Sequence, residues 1–300
     1  MNDMPALANK LGQLATQQWF TETAISGVKL FRSDYGNGRC PTAYDPSIVI
    51  IVQGRKIGYL GDKIYHYDAN NYLVLSVAIP LECETIATPE EPLLGISINL
   101  TPGEITELLL DIDDKPFIQS DTPSAVFSTP VNASLFDATR RLVDCLADPM
   151  DTKILGPQIK REILYEVLKG DQGATLKSLT IKQSRLSQIE HVLKIIHAQL
   201  DQKLDVKRLA SDANMSVSAF HQHFKAVTSS SPLQYIKQTR LHKARSLMLQ
   251  QGLTASSAAL QVGYESASQF SREFKSYFGR TPLSEVQQLK TLLNAETPMQ

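Results

Sequence analysis

The chain has 300 residues, enough for two domains that each bury a core, and its composition is that of an ordinary globular protein, 42% hydrophobic and 20% charged. The formal net charge of −1 conceals a division: residues 1–180 hold 15 Lys+Arg against 23 Asp+Glu, a balance of −8, and residues 181–300 hold 15 against 8, a balance of +7. An acidic part joined to a basic part points to a polyanionic partner for the C-terminal part. The longest strongly apolar runs, such as Ile48 to Val52, are strand length, so no membrane span is expected. The three cysteines, Cys40, Cys83 and Cys145, form no C-x-x-C pair, and their odd number fits a reducing cytoplasm better than a disulfide framework. The N-terminus has an early Asp3 and no basic flank before an apolar core, so no signal peptide is expected.

In chain order, residues 5–20 are expected to form an amphipathic helix, with Leu7, Leu11, Leu14 and Gln18 at helical spacing. Residues 46–100 change character. β-branched and aromatic runs are cut by Gly54, Gly58, Gly61 and the pair Asn70-Asn71, which reads as short antiparallel strands of a barrel or sandwich. The stretch GRKIGYLG has the glycines of a phosphate loop but no G-K-[ST] and no following helix, so it reads as hairpin strands. From residue 101 the pattern is helical. TPGEITELLLDI opens with Thr101 as N-cap, Pro102 at the first helical position and Glu104 three residues after the cap. Its end, the acidic run Asp111 to Lys115, is expected to be solvated. SLFDATRRLVDCLADP repeats apolar residues at Leu135, Ala138, Leu142 and Cys145 or Leu146, and GPQIKREILYEVLKG places Ile159, Ile163, Tyr165 and Val167 on a helix closed by Gly170. Apolar stripes on these two helices suggest a dimer interface. Cys83 and Cys145 fall in apolar patterns and read as core, whereas Cys40, beside Arg39 and near Gly36 and Gly38 in an expected loop, is a candidate reactive thiol or an inert surface one. The stretch GDQGATLKS, residues 170–178, is the linker candidate.

The C-terminal third contains a repeat. SAFHQHFK from Ser218 and SQFSREFK from Ser268 lie 50 residues apart, and SPLQYI from Ser231 matches TPLSEV from Thr281 at the same offset. Upstream the offset is 49: Leu209-Ala210 pairs with Ala258-Ala259, and Asn214-Met215 with Gly263-Tyr264, so one residue has been inserted within Y-E-S of the second copy. Each copy reads as helix, tight turn, helix, then a Ser/Thr-Pro-Leu restart. Asn and Gly at the turn are the residue types that accept φ > 0 most readily. This is the pattern of a helix-turn-helix, whose second helix enters the major groove. Two units are therefore expected, at about 204–227 and 254–278.

The same placement decides how to read His221 and His223. A helix turns about 100° per residue, so these two side chains point about 200° apart and cannot share a metal. Phe220, Phe224 and Val227 form the buried stripe, and Ser218, His221, Gln222 and Lys225 fall on the opposite, wholly polar face. In the second copy Phe270, Phe274 and Tyr277 are buried, and Ser268, Ser271, Arg272 and Lys275 face out. These eight residues are the candidate groove face. Between the copies, Pro232 to about Gln250 reads as one long helix with apolar Leu233, Ile236, Leu241, Ala244, Leu247 and Met248. It also carries basic Lys237, Arg240, Lys243 and Arg245. Lys237 and Arg240 are candidate phosphate contacts, and the helix would hold two reading heads one DNA turn apart.

Residues 185–285, through LASDANMSVSAFHQHFKAVTSSSPLQYIKQTRLHKARSLM and ALQVGYESASQFSREFKSYFGRTP, resemble the AraC/XylS family of bacterial transcription regulators. The resemblance implies base contacts by Ser218, His221 and Gln222 in the first unit and by Ser268, Ser271 and Arg272 in the second. The N-terminal part, through IVIIVQGRKIGYLGDKIYHYDANNYLVLSVAIP and LADPMDTKILGPQIKREILYEVLKGDQGATL, looks like the AraC-type regulator N-terminal domain. The expectation is an α+β chain. A sensory or dimerising domain over 1–178 would hold a cupin-like β-barrel at about 25–100 and helices at about 101–170, and a DNA-binding domain would follow over 179–300. Expected partners are a double-stranded DNA operator, a second copy of the chain, a small-molecule effector if the barrel is a sensor, and RNA polymerase if the regulator activates. A largely apolar effector pocket would draw on Tyr59, Tyr65, Tyr67 and Tyr72 as amphipathic lining. The alternative is an enzyme with a barrel active site. His66 as the single histidine before residue 181 leaves that barrel too poor in ligands for a metal, so neither metal nor cofactor nor catalytic residue is expected. A ligand-independent regulator whose barrel only dimerises reads the same in sequence.

Overall fold

A computed structural model describes residues 3–112, 124–181 and 184–294. The chain divides into two compact units, one of residues 1–39 and 44–188, the other of residues 40–43 and 189–300. In the first unit β1 (Trp19–Glu22), β2 (Val28–Ser33), β3 (Asn37–Tyr44), β4 (Ser47–Gln53), β5 (Arg55–Leu60), β6 (Lys63–Asp68), β7 (Asn71–Leu75), β8 (Ile79–Ile86) and β9 (Leu93–Asn99) form one curled sheet. Their order is β1-β2-β9-β4-β7-β6-β5-β8-β3, and β10 (Val126–Pro130) pairs with β7. The expected barrel is thus a half-barrel with an open strand path. At its centre Ile48 to Val52 of β4 are all buried, because one face of the strand looks into the curl and the other is covered by α1 (Met4–Leu14), which packs on β4 and β9.

The helices after the sheet form as expected at α2 (Pro102–Asp111), α3 (Ala133–Cys145) and α5 (Gly156–Lys169), with α4 (Pro149–Ile154) between the last two. The Thr101 hydroxyl accepts from the Glu104 amide, and Asn132 and Asp148 cap α3 and α4 in the same manner. The stripes of α3 and α5 pack against each other, so Leu135, Ala138, Leu142, Ile159, Ile163 and Val167 are consumed inside the unit. Cys83 and Cys145 are buried as expected, whereas Cys40, expected in a loop, is a half-buried residue of β3.

Four other sequence expectations give way. The first helix stops at Leu14, not at residue 20: Trp19, with left-handed backbone (φ 71), turns the chain into β1, where Trp19 pairs with Arg32. Residues 173–178, expected within a linker, form α6 (Gly173–Ser178), whose Thr175, Leu176 and Ser178 are buried. Tyr165 stands on the exposed side of α5, one residue past the buried Leu164. Leu233 is 63% exposed, because it lies on the outer side of the first turn, between the buried Pro232 and Tyr235; its repeat partner Leu283 stands likewise beside the buried Pro282. Of the acidic run, Asp111 ends α2 and pairs with Arg161, while residues 113–115 lie outside the described residues.

The second unit is helical, with α7 (Arg185–Ala198) leading into it. α8 (Val206–Asp212), α9 (Val217–Thr228), α10 (Pro232–Gln250), α11 (Ala255–Gln261), α12 (Ala267–Phe278) and α13 (Pro282–Asn294) follow. α10 serves two cores. Its Tyr235 ring meets Phe224 at 5.5 Å, and its Leu241, Ala244, Leu247 and Met248 pack with Ala258, Ala259, Phe270 and Phe274.

Candidate nucleic-acid interface

The two repeats build the same local machine. In each turn the residue after the left-handed one swings its amide back onto the first helix: Met215 N–H donates to the Ala210 carbonyl at 2.9 Å, and Tyr264 N–H to the Ala259 carbonyl at 3.0 Å. The left-handed residue that makes this bend is Asn214 (φ 53) in one copy and Gly263 (φ 84) in the other. Ala210 and Ala259 are buried, as close helix approach requires. Ser216 and Ser266 then cap α9 and α12, each accepting the amide three residues on at 3.3 Å. The residue inserted in the second turn is Glu265, between Tyr264 and the cap.

Each second helix is fixed from below by aromatic rings, Phe220 and Phe224 with centroids 5.4 Å apart in α9, Phe270 and Phe274 also 5.4 Å apart in α12. All four are fully buried. The opposite face is open. Ser218, His221, Gln222 and Lys225 are exposed on α9, as are Ser268, Arg272 and Lys275 on α12, with Ser271 half-buried beside them. The rings of His221 and Phe220 meet edge to face with centroids 6.3 Å apart. Among the described residues no side-chain hydrogen bond or ion pair engages Ser218, Gln222, Lys225, Ser268, Ser271, Arg272 or Lys275. Arg272 does not pair with its neighbour Glu273, which accepts instead from the Tyr264 hydroxyl at 2.9 Å and the Gln269 amide at 3.1 Å. Both faces therefore present donors with nothing yet to donate to, on rigid supports.

The two candidate phosphate residues of α10 part company. Lys237 is half-buried, and among the described residues no hydrogen bond or ion pair engages its ammonium. Arg240 is turned inward: its Nε donates to the Leu200 carbonyl at 2.9 Å and its Nη2 to the Gln202 carbonyl at 2.7 Å. Sequence reading missed this, because both acceptors are backbone atoms 40 and 38 residues away and carry no side-chain signal. Further along α10, Arg245 pairs with buried Glu285 of α13 at 3.2 Å, and the buried His242 ring meets the Tyr277 hydroxyl at 3.1 Å.

In the first unit the four candidate tyrosines do not share a lining. Tyr65 and Tyr67 stand opposite Gly58 and Lys56 on one face of the β5–β6 pair, and Tyr59 lies on the other face. There Tyr59 donates to Glu84 at 3.0 Å under the Arg39 guanidinium, 4.3 Å from the ring centroid. Tyr72 pairs across to Thr129 and is buried. Tyr67 belongs to a buried polar cluster that sequence reading did not anticipate. Its hydroxyl meets that of Tyr44 at 3.0 Å and Cys83 Sγ at 3.5 Å, and Lys56 Nζ donates to Tyr44 at 2.6 Å. Burial and the Cys83 thiol push the Tyr44 hydroxyl up to about 12. None of the four tyrosines lines a cleft of about 550 Å³ at one end of the sheet, whose apolar wall is Met4, Ala8, Val52 and Ile86 and whose polar groups include Arg55, Asp68 and Glu91. Among the described residues no group of three His, Cys, Asp or Glu is placed to hold a metal, and no helix is long and apolar enough to cross a membrane.

Residues 24–175 match the AraC-type transcriptional regulator N-terminus, and residues 209–288 match a helix-turn-helix domain. The chain is 33% identical over 94 residues to the Msm operon regulatory protein of Streptococcus mutans serotype c, covering 31% of this chain and 34% of that one, so it spans about a third of that relative's length. It is 26% identical over 234 residues to the probable transcriptional regulator LumQ of Photobacterium leiognathi, covering 73% of this chain and 90% of that one. Among solved structures, an apo form of ToxT from Vibrio cholerae superposes with a TM-score of 0.60 at 11% identity, over 89% of this chain and 99% of that one. Unsaturated fatty acid-bound wild-type ToxT does so with a TM-score of 0.54 at 12% identity, over 93% and 100%. By the match over half its length and by the paired helix-turn-helix units that follow, the chain belongs to the AraC-type transcriptional regulators.

Proposed function

We propose that the protein binds a double-stranded DNA operator sequence-specifically and regulates transcription from it, acting in the cytoplasm as a homodimer and not as an enzyme. The observation that carries this is the pair of polar faces on α9 and α12, aligned by a repeat and open to solvent. Ser218, His221, Gln222, Ser268, Ser271 and Arg272 read base edges. Gln222 suits adenine and Arg272 suits guanine, since each side chain can make two hydrogen bonds to that base in the major groove. Lys225, Lys275 and Lys237 serve phosphates. Arg240 leaves that group, because its Nε and Nη2 are held by two backbone carbonyls. RNA polymerase is the further partner if the protein activates. The test is selection of duplexes from a randomised library by the full chain. Two enriched segments about one helical turn apart support the reading, and enrichment of no sequence over background defeats it.

The first unit senses a small molecule in this reading. The ToxT chain seen with an unsaturated fatty acid has the same fold, which supports a ligand-binding role for it. The cleft of about 550 Å³ has the size of a small-molecule site. The dimer is assigned to α4 and its junction with α5. The stripes of α3 and α5 are already buried, whereas Met150 and Ile154 remain 67% and 53% exposed.

A further inference from the structure

Arg240 sits where three elements meet. The carbonyls of Leu200 and Gln202 belong to the turn that follows α7, and Arg240 donates to both. The same space is closed by the turn of the second helix-turn-helix unit. A Cβ on Gly263 would lie 2.8 Å from the Leu200 carbonyl oxygen, 2.9 Å from that of Asp201 and 3.0 Å from Arg240 Nη2. With φ at +84 besides, the position admits no side chain. One residue on, the buried Tyr264 reaches Glu273 of α12, the neighbour of Arg272. Contacts thus run without a gap from the end of α7 through Arg240 and the Gly263-Tyr264 turn to the second recognition helix. The first helix-turn-helix unit shows no counterpart among the described residues: Asn214, at the equivalent turn, is exposed, and no side chain of α10 donates to it.

We infer that Arg240 is a positioning residue for the second recognition helix: by gathering the end of α7 against the Gly263 turn, it fixes the pose of α12 relative to α9 and so sets which spacing of two base-reading segments the protein accepts. The inference rests on the reading that both α9 and α12 enter DNA grooves. A lysine at 240 lacks the planar fork that reaches two carbonyls at once, so it restores part of the arrangement only.

The experiment compares the full-length wild type with Arg240→Gln, Arg240→Lys, Gly263→Ala and Arg272→Ala, each checked for a cooperative melt, in selection from a library of duplexes in which both the sequence and the spacing of the two segments vary. Arg240→Gln is expected to lose preference roughly tenfold across the segment read by α12, about the size of one good base contact, and to accept spacings one base pair longer or shorter. The segment read by α9 keeps its preference. Arg240→Lys recovers part of the loss. Gly263→Ala disturbs the same junction from its other wall and gives the Arg240→Gln pattern, which keeps the test open if one variant fails to fold. Arg272→Ala loses preference at one base pair with the spacing unchanged, and its failure to do so would count against the base-reading assignment, not against Arg240. Uniformly weaker binding by Arg240→Gln with a flatter salt dependence would make Arg240 a phosphate contact and overturn the inference. So would an unaltered spacing preference.

Discussion

Arg272 and Arg240 are the same residue type in the same helical unit, and yet one faces water and the other is occupied. The difference follows from what lies within reach of each guanidinium. Arg272 projects from the polar face of α12 with its donors unspent, so Arg272→Ala is expected to cost about 1–3 kcal/mol at the cognate base pair and to relax preference there. Lys237→Gln should instead weaken binding evenly across sequences and reduce the salt slope by about one. Operator-variant binding at fixed salt, then a salt titration, distinguishes the two; an even loss with Arg272→Ala would move it to the phosphate class. His242 supplies a pH effect. Burial, and then the neighbouring Arg245, lower its pKa from 6.5 to about 3, while Tyr277 and Phe278 close over the ring. The unfolded chain therefore takes up a proton that the folded chain refuses. The stability this group contributes is present above about pH 6.5 and is lost as pH falls toward 3, by about 1.4 kcal/mol per unit. Denaturant unfolding at pH 7 and 5 should show wild type losing roughly 2 kcal/mol more than His242→Gln. Equal losses would mean that the ring is protonated in the fold. The inward turn of Arg240 and the burial of His242 were not legible in sequence: a basic residue on a long helix looks the same whether it meets phosphate, a carbonyl or solvent.

Elements with one strong face were the legible ones. α9 and α12 repeat apolar residues at helical spacing opposite a polar face, carry Ser at the cap and follow a turn with Asn or Gly in the left-handed position, and both form where the periodicity predicts a helix. β1 and β3 carried no such signal. Their burial is mixed, and β3 contains Gly38 and Pro41, as suits strands at the two ends of the sheet path. α6 is short, and its glycine-containing sequence resembles a linker. In the candidate site, the polar faces followed from periodicity alone, whereas the Tyr44–Lys56–Tyr67–Cys83 cluster depends on strand register, which no single segment encodes. The caps make a prediction at this scale. Ser216→Ala and Ser266→Ala should each cost about 1 kcal/mol in thermal denaturation, and a loss below a few tenths would show that water caps these helices as well. Each should also loosen the first turn of a recognition helix, where Ser218 and Ser268 stand.

At the scale of the molecule the charge is divided as the work is. Residues 181–300 carry +7 and hold both recognition helices, and residues 1–180 carry −8 and hold the sheet and cleft. An acidic first part lowers nonspecific attraction to DNA, so binding by the whole chain should depend more on correct base contacts than its basic part alone would. The sensing role predicts that a metabolite panel including unsaturated fatty acids contains a compound that raises the melting temperature of the full chain, and that substitution at Arg55 in the cleft diminishes the rise; no response across a broad panel would leave the first unit a dimerisation domain. The dimer predicts that sedimentation velocity of the full chain gives a concentration-dependent dimer, and that Ile154→Asp shifts it toward monomer. A wild type that stays monomeric at high concentration removes the dimer.

α10 runs unbroken from Pro232 to Gln250 and contributes to the core on both sides of it. Such a helix is a ruler graduated in whole residues. One residue inserted between Ile236 and Leu241 would advance the second head by about 1.5 Å and rotate it by about 100°. Four would bring the face back to within about 40°, at the cost of a displacement of about 6 Å, nearly two base pairs along the duplex. The helical repeat of the protein and that of DNA do not come back into step over any short insertion, so length and phase cannot be corrected separately. A change in operator spacing therefore cannot be followed by lengthening α10 alone.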